Sequence, residues 1–204
     1  MLVNKPYTSI QANELQRMIA EGDELAFTQL YLHFNKKLMQ FAVSLVKSRE
    51  IAEEVVEDVF VKLWANRSGV TSIENITVYL YVAVKNRSLN SLSQKAKELI
   101  VAPFDYLDTV VHEFAADPHE LMITSEMMNS MHHAVETLPP RCKIIFKLIR
   151  EDGLKYKEVA EILNLSINTI DAQMAIAVKK ICDALHIEKP TRSSHIISAG
   201  KKEF

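Results

Sequence analysis

Apolar residues recur at steps of three and four through most of this chain, the spacing that lines one face of an α-helix. Glu14 to Glu21 predicts a first short helix, stopped by Gly22. Asp23 caps a second, whose stripe is Leu25, Leu30, Phe34, Leu38, Phe41, Leu45 and Val46. Ser48 caps a third, from Glu50 to about Trp64, with Ile51, Val55, Val59 and Leu63 in line and Phe60 and Trp64 beside them. Arg67-Ser68-Gly69 breaks it, and Asn75 caps a fourth helix that runs to about Lys97.

Residues 98–117 lose the period and collect acids around Pro103. Asp117-Pro118-His119-Glu120 restarts it with an N-cap, a Pro at the first helical position and a Glu at the third. That helix runs to about Thr137. Pro139-Pro140 opens another, which ends near Gly153. Then "YKEVAEILNLSINTIDAQM", residues 156–174, reads as two short helices around an Asn164-Leu165-Ser166 turn, the second running to about Leu185. The best strand candidate, "VTSI" at 70–73, is too short and isolated. The predicted fold class is all-α. Two small helical domains, 10–97 and 118–186, are joined by an acidic linker (98–117) and followed by a tail (187–204) expected to stay loose. The C-terminal domain carries a helix-turn-helix.

Composition agrees with this layout. A chain of 204 residues with four Gly and six Pro suits helices and has room for two small cores. The net charge of −2 argues against indiscriminate nucleic-acid binding, but its distribution is uneven. Residues 1–97 hold 12 Lys/Arg against 10 Asp/Glu, residues 98–140 none against 8, and residues 141–204 hold 12 against 8. Cys142 and Cys182 sit in apolar helical patterns and read as free thiols in a reducing compartment. Without a signal peptide or a membrane-length apolar run, the expected home is the cytoplasm. Neither His-x3-His nor Cys-x2-Cys occurs, and the tandem His132-His133 points two ways on a helix. With no Gly-rich phosphate loop and no nucleophile set, the expectation is a non-enzyme with no metal and no cofactor.

Three stretches carry candidate binding chemistry. In the second helix of the turn unit, Ile170, Met174, Ala177, Val178, Ile181 and Leu185 share one face. Asn168, Asp171, Ala172, Ala175 and Lys179 look outward. Ser166 caps that helix and leaves its N-terminal amides for a phosphate. Asn168 and Gln173 suit base edges, Ala172 a thymine methyl, and Lys179 and Lys180 phosphates. A polar bundle surface would look similar. Asp171 reads better as an acid complementing the helix dipole than as an acceptor from cytosine. In the 50–64 helix, Glu53, Glu54, Glu57 and Asp58 gather opposite the apolar stripe. That is the composition of an ordinary solvated face, and also of a docking surface for a basic partner. In the 74–97 helix, Tyr79 and Tyr81 precede Lys85, Asn86, Arg87, Asn90, Lys95 and Lys97. Aromatics beside basic and amide groups suit an unstacked single strand, although the tyrosines also suit a core.

In order along the chain, these residues resemble a family. "GDELAFTQLYLHFNKKLMQFAVSLVKSREIAEEVVEDVFVKLWANR" is similar to region 2 of extracytoplasmic-function (ECF) sigma factors of the sigma-70 family, and "LPPRCKIIFKLIREDGLKYKEVAEILNLSINTIDAQMAIAVKKI" to their region 4. The resemblance spans roughly residues 10–186. It implies a sigma factor that binds RNA polymerase core and directs promoter-specific transcription initiation. Glu53, Glu54, Glu57 and Asp58 would dock on polymerase. Tyr79, Tyr81, Lys85, Asn86, Arg87 and Asn90 would face the −10 element, with a flipped base held near the 67–76 loop. Ser166, Asn168, Asp171, Ala172, Gln173 and Lys179 would face the −35 element. The acidic linker would thread the polymerase cleft. The family also implies an anti-sigma factor as partner, often membrane-bound, with no membrane insertion of the sigma factor itself. Asn90, Ser93 and Gln94 depart from frequent Asp, Arg and Lys, Asn164 from a common turn Gly, and Asp171 from a frequent Lys. Two other readings stay open on the residues alone: a helix-turn-helix regulator acting without polymerase, and an interaction module that binds no DNA.

Overall fold

Capping chemistry sets where the helices begin and end. In the computed structural model, residues 9–95 and 126–185 are described. The predicted linker, the Asp117 cap and the tail lie outside them. Helix α1 (Ser9–Ala20) begins before the predicted Glu14, because Ala12 and Leu15 extend the stripe that ends at buried Ile19. Gly22 reverses the chain at φ +93°, a conformation natural only to glycine. Asp23 then accepts from the amides of Leu25 (2.8 Å) and Ala26 (3.0 Å), starting α2 (Glu24–Val46). Lys47 ends α2 in the left-handed region, and the Ser48 hydroxyl accepts from Ile51 N at the start of α3 (Arg49–Ala65). A 3-10 turn over Arg67–Ser72 takes up the Arg67-Ser68-Gly69 break and most of the strand candidate. Asn75 accepts from Val78 N (3.1 Å) at the head of α4 (Ile76–Lys95).

Helix α2 is the spine of the N-terminal half. It packs on both α3 and α4, which also pack on each other. Phe27 meets Trp64 at 4.9 Å between ring centroids, Tyr31 meets Phe60 at 4.9 Å, and Phe41 meets Tyr81 at 5.3 Å. One stripe residue departs from expectation: Leu25 is 76 % exposed. The five-residue step to Leu30 turns it off the inner face, where Ala26 and Phe27 stand instead.

The C-terminal half is built from α5 (Glu126–Glu136), α6 (Pro140–Arg150), α7 (Tyr156–Leu163) and α8 (Ile167–Ala184). Pro140 occupies the first turn of α6, where its missing N–H costs nothing. Gly153 (φ +78°) turns the chain toward α7. Asn164 takes the left-handed position at the α7–α8 corner, with its amide on the Ala160 and Glu161 carbonyls, and Ser166 accepts from Thr169 N (3.0 Å). Asn is among the few side chains that tolerate φ +55°, so it replaces the usual turn glycine at modest cost. The core between these helices holds Leu138, Ile145, Leu148, Ile162, Leu163, Ile170, Met174 and Ala177.

These placements separate two apolar residues that composition alone treats alike. Ile170→Ala, at a fully buried site, should lower unfolding free energy by about 2–5 kcal/mol. Leu25→Ala should change it by less than about 0.5 kcal/mol. Urea titrations of the two variants decide this, and a large loss at Leu25 would mean that its face is covered.

Candidate nucleic-acid interface

Helix α8 divides as its sequence period requires. Ile170, Met174, Ala177 and Ile181 are buried, while Ser166, Asn168, Asp171, Ala172 and Lys179 are exposed on the outer side. Gln173 is placed differently. It is half-buried at the edge of the helix, and its side-chain oxygen accepts from the Cys142 thiol at 2.9 Å. A base edge would have to compete with that thiol or use the other end of the amide.

The α4 set is spread around the helix. Tyr79 (42 % exposed), Asn86 and Asn90 are open to solvent. Lys85 is half-buried, and burial holds its ammonium below the ordinary lysine range. Arg87 lies against α3, with its guanidinium paired to Asp58 and 3.7 Å from Glu54. Tyr81 is fully buried; its ring packs on Phe41 and its hydroxyl donates to Asp152 Oδ2 at 2.6 Å. Burial, then the Asp152 charge and this hydrogen bond, push the Tyr81 hydroxyl far up, so it is a fixed proton donor. The 2.0 and 3.6 periods say which face a residue shares, not what covers that face.

On α3 the four acids share the outer side. Glu53 pairs with Arg49 at 3.1 Å, Glu54 and Asp58 face Arg87, and Glu57 is exposed. Val61, 66 % exposed, continues the same row one turn on. It went unnoticed in the sequence, although the 54–57–58–61 spacing places it there.

A second missed residue is Gln16. Almost wholly buried on α1, it donates through Nε2 to Val70 O (2.7 Å) and Ile73 O (2.9 Å). Its two bonds fix the 3-10 turn against α1. Between them opens a cleft of about 490 Å³ lined by Asn13, Gln16, Thr71, Ser72, Ile73 and Glu74. A lone polar residue on the inner face of α1 was the available signal.

The two halves also touch. Helix α7 packs on α4. Asn75 Nδ2 donates to Glu158 Oε1 (3.0 Å), and Lys37 Nζ to the Asp152 carbonyl (3.1 Å). Glu136 is paired with Lys143 (3.2 Å) and Lys147 (2.7 Å) near Lys47. Burial opposes ionisation of Glu136, but the two lysines outweigh it and hold its carboxyl below the ordinary range.

Comparison with known proteins follows this two-part division. A sigma-70 region 2 model matches residues 30–98, and a sigma-70 region 4 model matches residues 128–181. The ECF RNA polymerase sigma-E factor of Escherichia coli (strain K12) is 22% identical over 166 residues, covering 78% of this chain and 86% of that protein. The RNA polymerase sigma-H factor of Pseudomonas aeruginosa is 22% identical over 187 residues, covering 87% and 95%. Among solved structures, the sigma factor RpoE of Bartonella quintana, in complex with the anti-sigma factor NepR, superposes with a TM-score of 0.57 at 23% identity, covering 80% of this chain and 98% of that one. CnrH in complex with the cytosolic domain of CnrY gives 0.53 at 17% identity, covering 86% and 97%.

The position of Gln173 has a measurable consequence. Gln173→Ala should cost about 0.5–1.5 kcal/mol of stability by removing the acceptor of the Cys142 thiol. Asn168→Ala, on the open face, should cost almost nothing. Thermal melts of the two variants check this; equal stability of Gln173→Ala and the parent would remove the thiol bond from the account.

Proposed function

The chain belongs to the sigma-70 family as an ECF sigma factor, and on that footing we propose how its surfaces divide the work of promoter-specific initiation. The observation that carries the reading is the order of three surfaces: the acidic face of α3, the mixed aromatic and polar face of α4, and the exposed face of α8 in a helix-turn-helix. A sigma factor works as a subunit, so polymerase supplies part of the phosphate contact. A net charge of −2 is then compatible with promoter recognition.

In this reading Glu53, Glu54, Glu57 and Asp58, with Val61 among them, dock on a basic surface of core polymerase. Tyr79, Lys85, Asn86, Arg87 and Asn90 line the approach of the opened −10 strand. Tyr81 serves from within, by fixing the helix, unless the seam with the other half opens. The open cleft beside the 3-10 turn has room for one unstacked base, with Asn13, Thr71 and Glu74 among its lining. Ser166, Asn168, Asp171, Ala172 and Lys179 face the −35 element, and Gln173 reaches it from the side. Its part in transcription is that of an initiation factor rather than a catalyst. We place it in the cytoplasm with polymerase and DNA; among the described residues no helix is long and apolar enough to cross a membrane. The RpoE and CnrH structures named above are complexes with a second protein, in the first an anti-sigma factor. A comparable anti-sigma partner, membrane-bound or not, is proposed here.

Run-off transcription with purified core polymerase on fragmented host DNA tests the whole reading. Discrete starts that need this chain are expected, and none would overturn it. Docking is tested separately with Glu57→Lys, which leaves the Arg87 pairs intact. Its affinity for core should fall by about tenfold, or ~1.4 kcal/mol, with an unchanged melting temperature. Unaltered affinity would take the α3 face out of the polymerase interface.

A further inference from the structure

We infer that Cys142 sets which base Gln173 reads: its thiol holds the side-chain oxygen of Gln173 at 2.9 Å, so that Gln173 offers the −35 element only its amide donors and favours guanine over adenine. The inference rests on the assignment of α8 to the −35 element made above.

Placement comes first. Gln173 lies on the border between the two faces of α8, after exposed Ala172 and before buried Met174. Its side chain runs along the flank of the helix, where α6 packs on α8. Cys142 stands there in the first turn of α6, buried among apolar neighbours. One end of the Gln173 amide therefore meets a core thiol, while the half-buried residue keeps access to the outer side. Whatever engages the inner end decides what the other end can offer.

Hydrogen-bond chemistry fixes that choice. A glutamine amide has an acceptor oxygen and an NH2 group with two donors, whereas a thiol is a weak donor with a poor acceptor sulfur. The oxygen is the end that can use the thiol proton. Turned round, the NH2 group would face sulfur at the buried end, where an unmet donor costs most. With the oxygen held inward, both N–H donors remain for DNA. A glutamine free at both ends reads adenine, accepting from N6 and donating to N7. Guanine presents N7 and O6, both acceptors, and an NH2 group alone satisfies them. On adenine the same group meets N7 but also the N6 donor. Gln173 held by Cys142 is thus matched to guanine, and Gln173 released from it to adenine. The hold is one neutral hydrogen bond from a weak donor, so the preference it sets is about tenfold, or ~1.4 kcal/mol. Asn168 and Ala172 on the open face have no part in it, so the change is confined to one base position.

The test uses holoenzyme assembled from core polymerase and the full chain. The DNA is a promoter mapped by run-off transcription and randomised across its −35 element, and sequencing of the bound fraction reads the base preference. The parent should prefer guanine at one position, and Gln173→Ala should flatten that position alone. Cys142→Ala should shift the guanine-to-adenine ratio there about tenfold toward adenine, with Cys142→Val as the second donor-free variant if the alanine form misfolds. Cys142→Ser, whose hydroxyl donates in place of the thiol, should keep the parental ratio. A purely structural role for Cys142 lowers affinity for every sequence alike and leaves the ratio untouched, so an unchanged ratio in a folded donor-free variant overturns the inference. Adenine preferred by the parent, or a serine variant that shifts as the alanine variant does, overturns it too. Asn168→Ala keeps the two ideas apart. If it alters a −35 preference and Gln173→Ala alters none, α8 still reads the element and only the inference falls. If neither alters any position, the assignment of α8 to the −35 element fails.

Discussion

The side chain of Tyr81 joins the two halves of the molecule. Its ring is buried against Phe41 in the N-terminal core, and its hydroxyl donates to Asp152 in the C-terminal half. The first contact is apolar and fixes α4 on α2. The second is a hydrogen bond to a charged group, the stronger kind in a dry environment. Together they make α4 the element on which the arrangement turns. It is held from below by a core and from above by a carboxylate, and its middle is closed to solvent while its Tyr79 and Asn86 positions remain open.

The same helix joins the two proposed binding surfaces through charge. Arg87 leans from α4 onto Glu54 and Asp58 of α3, so it neutralises two of the four acids on the face proposed for docking. These pairs are partly exposed and contribute little stability by themselves. Their weight is positional. They lie beside the side of α3 that carries Glu57 and Val61 outward.

The C-terminal half shows how a weakly charged helix-turn-helix is kept in shape. Its corner uses Asn164 in a left-handed conformation and a Ser166 cap, both local hydrogen-bonding devices. Below the corner an apolar set at three- and four-residue spacing locks α8 on α6 and α7. The outer face is left free of structural duty except at its edge, where Gln173 is engaged by Cys142.

Among the described residues, the sequence by itself determined the α-helices, most of their ends and their order, because these depend on residues three or four positions apart. Asp23, Ser48, Asn75 and Ser166 cap as their side chains require. It also determined which face of α8 is inward, since the apolar period has only one solution there. What it left open are the contacts between residues far apart in the chain. Leu25 and Ala26 are neighbours in sequence, yet the packing of α2 exposes one and buries the other. Tyr79 and Tyr81 look equivalent on the page, yet a residue 71 positions further on closes over Tyr81 alone. The fates of Arg87, Gln16 and Gln173 likewise depend on partners brought up by the fold. Local periodicity fixes the direction in which a side chain points; only tertiary packing decides what it meets there.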